Sequence, residues 1–135
     1  MIRARFFVPG TPAPQGSKNI YRGRPVESSK RLPAWRTAIE AEACVAHRRI
    51  GYSLAGPLRL DCTFWFKRPK KPAHYYPSID LDKLTRAVGD ALQKSGLIIN
   101  DSQLSTLGNI RKRWTLAGDR TGALITLLDD DLGLV

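Results

Sequence analysis

Four carboxylates, Asp80, Asp82, Asp90 and Asp101, fall in "SIDLDKLTRAVGDALQKSGLIINDSQ", residues 78–103 of a chain whose formal net charge is +10. Asp80 and Asp82 are two apart, where a Pro-rich segment meets a helical pattern. On extended backbone, alternate side chains point the same way, so the two would converge. Like charges that close repel unless a proton or a cation sits between them. An oxygen-only pair with no His or Cys suits Mg²⁺ or Mn²⁺ rather than zinc. The competing reading makes Asp80 a helix N-cap and Asp82 a first-turn acid favoured by the helix dipole. A capping box would need Glu or Gln where Lys83 stands. Asp82, Arg86 and Asp90 follow at i,i+4 steps, the spacing of an exposed ion-pair row worth ~0.3–0.5 kcal/mol per pair. Asp101, in "NDSQ", reads either as a turn residue or as a third carboxylate brought back toward the helix.

The elements that must position these acids follow from hydrophobic periodicity. "IRARFFV" reads as a strand ending at Pro9, and "LPAWRTAIEAEACVAHRRI" as a helix closed by Arg48, Arg49 and Gly51. Its expected apolar or small positions include Trp35, Ala38, Ile39, Ala41, Ala43, Val45 and Ala46. "PLRLDCTFWF" alternates Leu58, Leu60, Cys62, Phe64 and Phe66 against polar or aromatic neighbours, as a half-buried strand does. Leu81, Leu84, Val88, Ala91 and Leu92 share one face of a helix running to Ser95, with Gly96 ending it. "STLGNIRKRWTL" and "GALITLL" read as two strands, joined by "AGDRTG" as a hairpin. The expected fold is α/β: a small mixed sheet of about four strands and two main helices, in β-α-β-α-β-β order. It forms one domain over 1–135, with basic loops at 9–31 and 67–79 and a frayed acidic tail at 129–135.

The balance of 22 Lys+Arg against 12 Asp+Glu points to an acidic partner, most often nucleic acid. The positive charge gathers in the two loops, at Lys18, Arg22, Arg24, Lys67, Arg68, Lys70 and Lys71, with Lys83 just beyond. A small-phosphate hydrolase would need only a few of these cations. Cys44 and Cys62 form no metal-like cluster and read as buried, reduced thiols of a cytoplasmic protein. No apolar run approaches the ~20 residues that span a bilayer, so no membrane partner is expected.

Residues 78–104 resemble the core motif of the RusA-type Holliday-junction resolvases: a D-x-D-N-L-x-K helix start, an internal D-A-L, a Gly, then D-D-x-Q. "VPGTPAPQGSKNIYRGR" is similar to that family's opening strand and Pro-rich basic loop, so the resemblance spans nearly the whole chain. It implies an Mg²⁺-dependent structure-specific endodeoxyribonuclease working as a homodimer on branched DNA, with Mn²⁺ as a substitute ion. Asp80, Asp82 and Asp101 match its metal-binding acids. Three positions depart from it: Lys83 stands for Asn, Arg86 for the helix Lys, and Asn100 for the first acid of the D-D pair. Arg keeps the charge but does not surrender a proton, so the role implied for Arg86 is electrostatic.

On this basis Asp80, Asp82, Asp101 and Arg86 are the expected catalytic group, and the basic loop residues form the phosphate track. Tyr75 and Tyr76, beside His74, would pack on sugars or unstacked bases at a branch point, or else anchor their loop. Two equivalent sites in a dimer suit the approximate twofold symmetry of a four-way junction. The alternatives are a flap or replication-fork endonuclease of the same fold, and a non-catalytic basic nucleic-acid-binding module. The C-terminal "DDDLGLV" resembles short peptides that dock on bacterial sliding clamps, or is a solvated tail. Small nucleases of this kind are often carried by phages.

Overall fold

A computed structural model describes residues 1–16, 18–21, 24–27, 30–116 and 118–132. The elements are β1 (Ile2–Pro9), β2 (Lys18–Tyr21), β3 (Arg24–Glu27), α1 (Leu32–Ile50), β4 (Leu58–Phe66) and α2 (Leu81–Ser95). A single 3₁₀ turn (Asp101–Gln103), β5 (Leu104–Trp114) and β6 (Gly122–Asp129) complete the order. The main sheet runs β1-β6-β4-β5, and β2 pairs with β3 as a separate antiparallel ribbon. The expected mixed α/β architecture is therefore present.

β4 carries the alternation expected of it. Leu58, Leu60, Cys62, Phe64 and Phe66 are buried, and the residues between them are half-buried on the opposite face. The buried row joins Trp35, Ile39 and Ala43 of α1 and Leu84, Val88, Ala91 and Leu92 of α2 in one apolar cluster. Each large aliphatic or aromatic side chain so buried contributes about 1.5–3 kcal/mol, which fixes both helices against one sheet face. Ala41 and Val45 of α1, expected among the packed positions, face outward. Burial pushes the Cys62 thiol far up, so it stays neutral. Cys44 and Cys62 are both free, but Cys44, expected to be buried, is only half-buried.

Two expectations about connectivity need correction. β5 and β6 are not a hairpin. β6 lies between β1 and β4, antiparallel to both, while β5 pairs in parallel with β4. Composition explains the exchange of places. "GALITLLD" buries Ala123, Ile125 and Leu127 and leaves most of its other positions half-buried, so it fits an interior place. β5 alternates half-buried with exposed residues, Arg111 and Arg113 among the exposed, and suits an edge. The second correction is within 9–31, where β2 and β3 replace part of the expected irregular loop.

Gly122 sits where β6 passes β1. Its φ is +148°, and a Cβ there would lie 2.1 Å from the Val8 carbonyl oxygen. Backbone cannot swing aside as a side chain can. Gly122→Ala is expected to cost at least about 2 kcal/mol of stability, read as a lower urea midpoint with an unchanged slope.

Candidate nuclease site

α2 begins at Leu81, so Asp80 is at the N-cap and Asp82 is already helical. Residues two apart on a helix do not face each other. The extended-backbone premise for a converging Asp80–Asp82 pair therefore fails at Asp82. The capping alternative also fails for Asp80, whose backbone is extended but whose side chain makes no cap hydrogen bond. Its carboxylate instead lies 3.5 Å from Lys83 Nζ, and Asp82 lies 3.9 Å from Arg86 Nη2. Side chains of both acids are largely exposed, at 62% and 68%. Such screened pairs contribute little, so both carboxylates stay accessible to a competing cation.

Asp101 is positioned by a turn built largely from side-chain amides. Gly96 ends α2 in the left-handed region, and buried Leu97 and Ile98 carry the chain back toward the sheet. Gln103 then binds at both ends of its amide. Its Oε1 accepts from the Ile99 and Asn100 N–H groups at 2.7 and 3.0 Å. Its Nε2 donates to the Leu54 and Gly56 carbonyls, each at 2.9 Å. Asn100, where the family motif has an acid, accepts from Ser102 N–H and caps the 3₁₀ turn. The Asp101 N–H donates to Gln93 Oε1 of α2 at 2.9 Å. Together these bonds bring Asp101 beside Gly89, where a Cβ built on the glycine would be 3.8 Å from the Asp101 Cβ.

Asp82, Asp90 and Asp101 consequently line one open groove of about 460 Å³, with Gln15, Thr85, Arg86, Gly89, Leu104 and Leu107 completing it. Asp80 stands outside that lining. Asp82 and Gly89 are separated by about 10 Å of helix rise, so Asp82 and Asp101 occupy different levels of the groove. Among the described residues, no group of three or more His, Cys, Asp or Glu side chains could hold a metal ion by itself. Asp90 does not simply extend the expected ion-pair row, for its carboxylate accepts a hydrogen bond from Gln15 Nε2. Gln15 Oε1 is buried and has no hydrogen-bond partner among the described residues. Gln15, Gln93 and Gln103 are the site residues that sequence reasoning missed. Gln103 alone had a signal, as the last letter of the resembled motif.

The basic candidates fall into two groups. Lys67, Arg68 and Lys70 flank a cleft shared with Thr115, Leu116, Gly118, Asp119 and Thr121, and Lys71 is exposed beside them. Arg22 lies outside the described residues, and Lys18 and Arg24 are described as strand positions only. Tyr76 stacks on His74 with ring centroids 5.4 Å apart, beneath Lys112 Nζ at 5.6 Å. Trp114 Nε1 donates to the His74 carbonyl, and Lys112 Nζ to that of Ile79. The expected aromatic pair thus divides: Tyr76 packs on His74 and under Lys112, while Tyr75 projects fully into solvent. The tail expected to fray from residue 129 is fastened at its start: Asp129 ends β6 and pairs with Arg3, and Asp130 accepts from Ser105 and Thr106, while residues 133–135 lie outside the described residues.

Residues 9–124 match the family described as Endodeoxyribonuclease RusA. That is most of the 135-residue chain, and the chain belongs to this family. It is accordingly an endodeoxyribonuclease, a hydrolase of phosphodiester bonds in DNA. Nucleases of the family generally depend on a divalent metal. No curated protein matches the sequence. Among the described residues, no helix is long and apolar enough to cross a membrane.

Gly89 gives a test of the groove. A Cβ there meets Leu104 Cδ1 at 3.7 Å and Asp101 at 3.8 Å, both ordinary contacts. Gly89→Ala is expected to stabilise by about 0.5–1 kcal/mol, the usual gain of replacing a helical glycine. Gly89→Leu must push Asp101 aside; it is expected to remain folded by circular dichroism and to lose DNA cleavage.

Proposed function

We propose that this chain is a Mg²⁺-dependent resolvase of four-way DNA junctions, acting as a homodimer that makes paired symmetric nicks. The observation that carries this is the groove itself. On a chain of net charge +10, Asp82 and Asp101 present accessible carboxylates in one groove beside Arg86. An acid-lined groove on a cationic surface suits a cation bridging protein and phosphate. The donors fit such an ion. They are hard oxygens, and Mg²⁺ is usually held by one or two carboxylates, with substrate phosphate and water oxygens completing its shell. A full cage of protein ligands is therefore not required.

Asp82 and Asp101, at different levels of the groove, would each offer a carboxylate to one of one or two ions completed by substrate phosphate and water oxygens, with Asp80 contributing at the helix start beside Asp82; Mn²⁺ would substitute. The chemistry supplied on binding is activation of water and neutralisation of charge at the phosphate. Arg86, whose ion pair to Asp82 is long at 3.9 Å, would turn toward a phosphate oxygen in the groove. Its guanidinium stays protonated, so it offsets charge and does not shuttle protons. Lys67, Arg68, Lys70, Lys71 and Lys83, with Lys18, Arg22 and Arg24, would follow the DNA backbone. Tyr75 would stack on an unpaired base at the branch, and Tyr76 would hold the loop that presents it. Binding through so many phosphates should weaken steeply as salt rises.

The deciding experiment incubates the protein with a synthetic four-way junction, a flap and plain duplex, in Mg²⁺ and in EDTA. Junction-selective cutting is expected in Mg²⁺ and none in EDTA. Preference for the flap would replace the junction assignment, and absence of metal-dependent cutting on any substrate would sink the site. Asp82→Asn is expected to lower cleavage at least ~100-fold, in line with loss of a group acting on the developing charge, while junction binding persists. Arg86→Lys should retain activity and Arg86→Ala should reduce it; an unaffected Ala variant would make Arg86 structural only.

A further inference from the structure

Resting on the assignment of the groove as the cutting site, we infer that Gln15 is a positioning residue: its amide bridge to Asp90 seats the first basic loop on α2 and sets that loop in register with the groove. The loop is fastened at successive points. Ala13 is buried at 1% exposure, against the same core as both helices. Two residues on, the Gln15 N–H donates to the Lys83 carbonyl at 3.0 Å, and its side-chain Nε2 donates to Asp90. Gly16 then lies directly on Arg86, so close that a Cβ would be 2.8 Å from Nη1.

Helix geometry explains how one residue reaches both partners. Lys83 and Asp90 are about 10 Å of rise apart. The Lys83 carbonyl points toward the helix C-terminus, whereas the Asp90 side chain leans toward the N-terminus. The gap between them is thereby short enough for one glutamine, backbone to amide. Chemistry fixes the direction of the amide. An ionised carboxylate only accepts, so the NH₂ end must face Asp90, and the carbonyl end is left buried without a partner among the described residues. From Gln15 to the Lys18 backbone the chain spans at most ~11 Å. The bridge therefore confines the start of the basic ribbon to the neighbourhood of the groove.

The test exchanges the two functional groups without changing either side chain's length. Gln15→Glu places carboxylate against carboxylate. The doubly substituted chain, Gln15→Glu with Asp90→Asn, restores an amide–carboxylate pair in the reverse direction. Two readouts are taken: hydrogen exchange at the residue 15 backbone amide in the free protein, and junction affinity with cleavage. Gln15→Glu is expected to speed that exchange and weaken junction binding about tenfold, the scale of one hydrogen bond to a charged group. The exchanged pair should bring both back to within about threefold of the parent. Gln15→Ala, which introduces no repulsion, should show the same direction with smaller size and covers the case in which Gln15→Glu fails to fold. An unchanged amide and affinity in the single variants would overturn the proposal. So would loss that persists in the exchanged pair, since Asp90 would then be needed for its own charge. The amide measurement uses neither DNA nor metal, so it stands apart from any failure of the nuclease site.

Discussion

The parallel pairing of β4 with β5 is the constraint on which the site depends. Parallel neighbours cannot be joined by a tight turn; the chain must travel back the length of the sheet before it can pair again. Here α2 makes that return, with its apolar face spent on the core and its polar face turned outward. The chain then reverses at Gly96 and passes Asp101 across the middle of the same helix before entering β5. An acid on the crossover helix and an acid at the mouth of the next strand are thus brought to one groove by topology. Neither residue needs to be steered there by the other.

Electrostatics gives that groove its character. The chain as a whole is cationic, yet the groove carries three carboxylates, and the ion pairs made by the acids at the start of α2 are long and exposed. Such pairs are easily exchanged for a better partner. The protein seals its interior elsewhere, with Cys62 held neutral by burial and the core otherwise apolar. The rigid part of the molecule and the chemically available part are consequently separate faces of the same helix.

How much of this was legible in the sequence depends on the range of the interactions. α2 and β4 could be read because Leu84, Val88 and Leu92, or Leu58, Leu60 and Phe64, repeat at periods set by local geometry. The family could be read because its motif is compact and lies on one helix and turn. The place of β6 could not, since its pairing with β1 joins the two ends of the chain. The apolar character of "ITLL" was visible, but not which neighbours it would choose. Whether Asp80 and Asp82 converge could not be read, because a small difference in where the helix starts changes the side-chain period from two to 3.6. The glutamines escaped because an amide has neither charge nor hydrophobic period, and its importance is decided wholly by what surrounds it.

Gln103 is the clearest instance of such dependence on surroundings. One neutral side chain gives to two carbonyls from one stretch of chain and receives from two amides of another. A glutamate has the same outline and is commonly scored as a gentle replacement. In this pocket it would turn an oxygen toward the oxygens of Leu54 and Gly56, and the shape would survive while the polarity inverted. In natural variants of this protein, resemblance of size is therefore a poor guide to harmlessness at its glutamines, and chemical ageing of such an amide would act as a hidden substitution.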